Sequence, residues 1–221
     1  MLIEEAKWFS RKMAALDPAA LSPMLNVGSS SEQFRMVDQP YIDKYIFKPA
    51  RERNVQVLHM DIEAAPGVDI VGDLAEPDFL RSLSEMQVRS VFCSNLLEHV
   101  RNREQIGEAL SGVVPLGSYL FVSCPNKYPY HPDPIDTMFR PNVAELAALF
   151  PGTYIVNGSI VQGRTALGYL LNRPLVLAKT VARLFIPFYK PRNWWIAVQH
   201  SPWLFRRCKQ TCLVLRKVGE T

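Results

Sequence analysis

Apolar positions recur at helical spacing from Leu2 to Leu16, and Asp17-Pro18 with Ser22-Pro23 ends that pattern. The periodicity then changes. Met24 to Val27 is a short apolar run halted by Gly28 and three serines, which predicts a strand followed by a tight turn. Helical spacing returns from Tyr41 to Arg53, with Ile42, Tyr45, Ile46 and Pro49 on one side, and Val55 to Met60 is a second strand that stops at Asp61. Val68 to Val71 reads as a third strand, Pro77 to Leu83 as a brief helix and Val88 to Ser94 as a fourth strand. A helix from Asn102 to Val114 leads into a fifth strand, Tyr119 to Cys124, rich in β-formers. Asn142 to Phe150 is again helical, and Tyr154 to Val161 and Thr211 to Lys217 are the last two strands.

Short, fully apolar strands separated by helices imply a parallel sheet covered on both faces, because right-handed crossovers place the helices there. The expected fold class is therefore α/β, a doubly wound and mostly parallel seven-stranded sheet. With 221 residues, 48% of them hydrophobic, the chain can bury a substantial core, and one domain over 1–221 is expected. Four cysteines are too few for a disulfide scaffold and fit a reducing compartment. Cys208 and Cys212 have three residues between them and no histidine at zinc-finger spacing, so no metal is assigned. The opening MLIEEAKWFSRKMAAL carries Glu4 and Glu5 where a secretory signal needs positive charge. No run approaches the ~18 apolar residues of a membrane span. A cytoplasmic protein, at most peripheral to a membrane, is expected.

The formal charge of +4 conceals an asymmetry. Residues 1–145 hold 14 Lys and Arg against 20 Asp and Glu, whereas 146–221 hold 11 against a single acid, Glu220. The segment 163–207 reads as a basic, aromatic-rich helical insert before the final strand. Within it, Pro174 to Phe185 has the pattern of a helix with Lys179 and Arg183 on a narrow polar stripe, and Trp194, Trp195 and Trp203 lie among Lys190, Arg192, Arg206 and Arg207. Such a segment suits either a lid over the sheet or contact with an anionic membrane surface. Nucleic acid is disfavoured, because the first two thirds are acidic and no RNA-binding motif is present.

In a doubly wound sheet, ligands sit beyond the carboxyl ends of the strands, which here are Gly28, Asp61, Asp73, Asn95 and Pro125. Five segments in order, LNVGSS, HMDIEAAPGVDIVGDL, CSNLLEHV, VVPLGSYLFVSCPN and FRPNVAELAALF, together resemble the class I S-adenosylmethionine (SAM)-dependent methyltransferases over roughly residues 20–150. The resemblance implies a Rossmann-like sheet with an antiparallel last strand, SAM as cofactor and methyl transfer to a small-molecule, glycan or lipid-linked acceptor. It assigns Gly28 to the loop facing the amino-acid part of SAM, Asp61 to the ribose hydroxyls and Asp73 to the adenine. Asn95 and Leu96 line the cleft below the methionine moiety, and Ser30 can donate to its carboxylate. The chain departs from the family text at Asn26, where an acid is usual, at Ser30 and Glu32, where glycines are usual, and at Arg89-Ser90, where Phe-Asp is common.

Three further residues are candidates for catalysis. His99 either fixes a helix start or serves as a general base, for which imidazole has a suitable pKa. The loop Asn126 to Pro141 either braces the chain or receives the acceptor, and in the latter case His131 and Asp136 orient it or remove its proton. The competing class of function is a noncatalytic methyltransferase-fold protein acting as a membrane-associated scaffold or binding module. A nicotinamide-dependent oxidoreductase is disfavoured, since the spaced glycines of the dinucleotide fingerprint are missing.

Overall fold

The computed structural model describes residues 1–131, 135–165 and 201–219, with isolated positions between 167 and 194. Helix α1 (Ile3–Ala14) and the short α2 (Pro18–Leu21) precede strand β1 (Met24–Val27). The expected helix over 41–53 is present in two parts, a π-helical turn, Asp43–Phe47, running into α3 (Lys48–Glu52). Pro49 in the first turn of α3 has no amide to give to Tyr45, and the wider turn upstream, closed by the Lys48 amide on the Asp43 carbonyl, accommodates it. A second π-helical turn, Phe34–Asp38, follows the loop after β1.

Strands β2 (Val57–Asp61) and β3 (Ile70–Val71), helix α4 (Pro77–Glu85), strand β4 (Ser90–Ser94), helix α5 (Arg103–Gly112) and strand β5 (Tyr119–Lys127) follow. Helix α6 (Val143–Ala147) starts at a capping box that the sequence spells as Asn-x-x-Glu: the Asn142 side chain accepts from the amides of Ala144 and Glu145, and Glu145 accepts from the Asn142 amide. The long strands β6 (Thr153–Thr165) and β7 (Arg207–Lys217) complete the sheet.

The seven strands lie in the order β3-β2-β1-β4-β5-β7-β6. β1, β2, β3, β4 and β5 are parallel, and β7 runs antiparallel to both β5 and β6. Residues alternate between two apolar layers along the central strands. Val91, Cys93, Leu120 and Val122 face a core shared with Leu83, Ile106, Leu110 and Leu146. Phe92 and Phe121 face the other way, against Phe9 of α1 and Phe47 before α3. All four cysteines are buried free thiols. Among the described residues no helix is long and apolar enough to cross a membrane.

The expected insert 163–207 is narrower at both ends. Thr165 still pairs with Arg207 in the β6–β7 ladder, so the excursion from the sheet is 166–206. It leaves at the carboxyl end of β6 and returns beside the carboxyl end of β5, where Lys127 pairs with Lys209. Of the helix read over Pro174 to Phe185, Ala178, Lys179, Val181 and Ala182 are described and helical and the rest lies outside the described residues, and Trp203 sits in a 3-10 turn, Ser201–Leu204.

Candidate active site

The carboxyl ends of the first three strands and the turn after β4 enclose a hollow of about 430 Å³, open to solvent. Gly28, Asp61, Asp73 and Leu96 all line it, as does Val100 at the end of the CSNLLEHV segment, together with Met60, Ile62, Leu74 and Ile106, which were not singled out in the sequence. Gly28 has φ +66°, and a Cβ there would come within 3.1 Å of Leu96 Cδ1, so the residue is glycine both for its backbone and for the space it leaves. A smaller hollow between α1 and α3, of about 310 Å³, lies away from the strand ends.

The loop after Gly28 contains the departures from the expected glycines, and local contacts absorb them. Ser30 takes the left-handed conformation, φ +53°, that a glycine adopts freely. Its amide donates to Asp61 Oδ2 at 2.7 Å. Arg35 is buried and donates to the carbonyls of Ser29 (3.0 Å), Ser30 (2.5 Å) and Gly67 (2.6 Å), which fixes the loop from behind. Glu32 is not among the residues lining the hollow. Its amide bonds the Pro66 carbonyl at 2.8 Å, and its Cβ packs so closely on Gly67 that a Cβ on Gly67 would sit 2.5 Å from it. Sequence reasoning missed Arg35 because nothing in a polar Ser-Ser-Ser-Glu-Gln run marks the following arginine as buried.

At Asn26 the usual acid is replaced by an amide whose Nδ2 lies 2.9 Å from Nδ1 of His59 on the neighbouring strand. Burial, with Arg35 adding to it, pushes the His59 imidazole down to about 4, so it is neutral and accepts this bond. Asp73 anchors its own turn by accepting from the Ala75 amide at 2.8 Å.

Asn95 is placed differently from Leu96. It has φ +54°, and its side chain turns to Ser94 Oγ (2.8 Å) and Glu5 Oε1 (3.1 Å) rather than lining the hollow. Glu5 of α1 is fully buried. Its Oε1 also accepts from Ser94 and from Ser123 at 2.5 Å, and its Oε2 from the Leu2 amide, so α1 is tied to the end of β4 and the middle of β5 by one carboxylate. The sequence signal was faint but present: Glu5 falls on the same helical stripe as Ala6, Phe9 and Met13.

His99, His131 and Asp136 are brought together, and Glu98 joins them. The imidazoles of His99 and His131 meet edge to face at 5.2 Å. His99 Nδ1 bonds the Ile135 carbonyl at 2.5 Å, and His131 Nδ1 lies 3.1 Å from the Pro129 carbonyl and 3.2 Å from Asp136 Oδ2. Arg140 grips both oxygens of Asp136, at 3.1 and 2.6 Å. Burial alone would raise the Asp136 carboxyl, but the Arg140 bonds and the amides of His131 and Met138 outweigh it and hold it at about 2. Burial lowers His131 despite Pro129 and Asp136. Glu98 is fully buried, its carbonyl held by the amide and hydroxyl of Thr137, and burial pushes its carboxyl upward.

No family model matches the chain, and no curated protein matches it. Solved structures do. Coclaurine N-methyltransferase bound to N-methylheliamine and S-adenosylhomocysteine (SAH) superposes with a TM-score of 0.56 at 13% identity, over 96% of this chain and 71% of that one. This chain has the class I SAM-dependent methyltransferase fold. The same fold carries the [4+2]-cyclase SpnF, with a TM-score of 0.54 at 14% identity over 95% of this chain and 81% of that one. Phosphoethanolamine N-methyltransferase 2 of Haemonchus contortus, in complex with phosphomonomethylethanolamine and SAH, superposes with a TM-score of 0.50 at 11% identity, over 90% of this chain and 49% of that one. At these identities the methyltransferase fold is what is shared.

Proposed function

We propose that this protein is a SAM-dependent methyltransferase acting on a small-molecule, glycan or lipid-linked acceptor. The observation that carries the reading is that Gly28, Asp61 and Asp73, at or just beyond the ends of three neighbouring strands, wall one hollow. When bound, SAM supplies a methyl group on a positively charged sulfur, open to in-line displacement. Gly28 gives close backbone approach to its amino-acid end, Asp61 accepts from the ribose hydroxyls, Asp73 meets the adenine, and Leu96 and Val100 supply an apolar wall. These residues act by positioning, which does most to speed a displacement that needs no covalent enzyme intermediate. His99, His131 and Asp136 form the acceptor side. The excursion 166–206 leaves and rejoins the sheet at this same edge and holds no acid, which supports an anionic acceptor, in solution or at an anionic membrane surface.

The test is calorimetric titration of the purified protein with SAM and SAH. Saturable binding that weakens at least about tenfold in Asp61→Ala is expected, since a hydrogen bond to a charged group contributes about 1.5–3 kcal/mol. Absence of binding at millimolar ligand removes the reading. Because a cyclase shares the fold, transfer is measured separately, as label from methyl-labelled SAM appearing in candidate acceptors.

A further inference from the structure

The turn after β4 and the loop after β5 bring one carboxylate and two imidazoles to a common point. A ligand atom from each of Glu98, His99 and His131 lies within 4.8 Å of the others. We propose that these three residues bind a divalent transition-metal ion, zinc by donor preference, with at least one coordination position open to an oxygen of the acceptor.

The neighbours select the tautomer of each ring. The partner of His99 Nδ1 is a carbonyl, which can only accept, so Nδ1 carries a hydrogen, and in the neutral tautomer that this selects, Nε2 keeps its lone pair. Both neighbours of His131 Nδ1, the Pro129 carbonyl and Asp136 Oδ2, are likewise acceptors. In the tautomer these contacts select, the Nε2 atom of each ring is available to a metal, and each ring is oriented through Nδ1 by a carbonyl or a carboxylate, the arrangement that metal-bound histidines use.

Glu98 supplies the second observation. Its Oε1 is buried and, among the described residues, accepts no hydrogen bond, an expensive state for a carboxylate oxygen. The near group is His99 Nε2, at 3.7 Å. In the Nδ1-protonated tautomer two lone-pair atoms face each other there, too far apart for a hydrogen bond, which needs about 2.7–3.2 Å. Two ligands of one tetrahedral ion with bonds of about 2.0–2.1 Å sit about 3.3 Å apart, so a small side-chain adjustment closes the site around a cation.

Two nitrogens and one oxygen favour zinc and its first-row neighbours over magnesium or calcium, which take all-oxygen sets. Three protein ligands leave the ion unsaturated. The side chains of His99 and His131 are 16% and 32% exposed, so the open side can be reached from solvent. Leu96 and Val100, on the same turn as Glu98 and His99, wall the hollow assigned to SAM. The ion's role toward an acceptor rests on the methyltransferase reading; its binding does not.

The experiment uses the whole chain, stripped with chelator and titrated with zinc chloride by calorimetry, with the bound metal counted by elemental analysis. About one equivalent is expected, with affinity reduced at least about 100-fold in His131→Ala and in Glu98→Gln. His131→Ala lies in a surface loop, and its thermal melt checks that the variant is folded. Cobalt substitution adds a second readout, visible d–d absorption in the wild type that is lost in His131→Ala. Failure of the wild type to retain metal, or equal retention in folded His131→Ala, overturns the site. SAH titration of the chelator-treated protein keeps the two ideas apart: SAH binding without metal binding sinks this inference alone, and metal binding without SAH binding sustains the site while the cofactor reading falls.

Discussion

The backbone amide of Ser30 donates to Asp61 Oδ2 at 2.7 Å, so the acid proposed to meet the ribose also holds the loop in front of it. Ser30 carries a left-handed backbone with φ +53° that glycine would adopt without strain. Ser30→Gly keeps the amide and removes the strain, partly offset by the entropy of an unfolded glycine. A stabilisation of about 0.5–1 kcal/mol is expected in urea unfolding. Destabilisation would mean that the serine side chain itself holds the turn.

Arg35 donates to three main-chain carbonyls from a buried position. Arg35→Ala strands those acceptors and should cost about 2–4 kcal/mol. Arg35→Lys should recover little, because an ammonium cannot reproduce the planar fork. Equilibrium unfolding of the two variants measures both, and full recovery by lysine would reduce the role of Arg35 to charge.

Gly107 lies within α5, where alanine is ordinarily better by about 1 kcal/mol. Here a Cβ would stand 2.1 Å from the Leu149 carbonyl oxygen, a main-chain atom that cannot swing aside. The clash outweighs the propensity. Gly107→Ala should destabilise by about 2 kcal/mol or more, read as a lowered melting temperature, and an unchanged melt would contradict the close α5–Leu149 approach.

His59 is held down to about 4 by burial and by Arg35, below its unfolded value of 6.5. The unfolded chain therefore binds the proton more readily between these values. The contribution of His59 is complete above about pH 6.5 and is lost as pH falls toward 4. Discounted for partial exposure, the loss is about 1–2 kcal/mol. The difference in stability between the wild type and His59→Gln, followed from pH 7 to pH 4, isolates it; a pH-independent difference would refute the shift. Asn26→Asp should move the titration upward by placing a carboxylate beside the ring.

How much was legible depended on whether the signal was local. Met24 to Val27, Val91 to Cys93 and Tyr119 to Cys124 announce strands because a doubly covered sheet demands continuous apolar runs, and Asn142 with Glu145 spells its own helix cap. The ends of Met24 to Val27, Val55 to Met60 and Val68 to Val71 pointed to Gly28, Asp61 and Asp73, which do share a hollow. The burial of Arg35 was not readable and that of Glu5 only faintly so, because a charged residue becomes an interior one only when partners from distant segments satisfy it: Ser94, Asn95 and Ser123 for Glu5, and Ser29, Ser30 and Gly67 for Arg35.

The sequence by itself determined the alternation of strands and helices, the charge asymmetry and which acids stand at the strand ends, because these follow from short-range periodicity and composition. Only the tertiary structure decided that Glu32 turns from the hollow to Gly67, that Asn95 faces Glu5, and that Glu98 meets His99 and His131 from two different loops. Those outcomes are set by the direction of side chains leaving separate strands, and that direction is fixed only when the strands are paired in register.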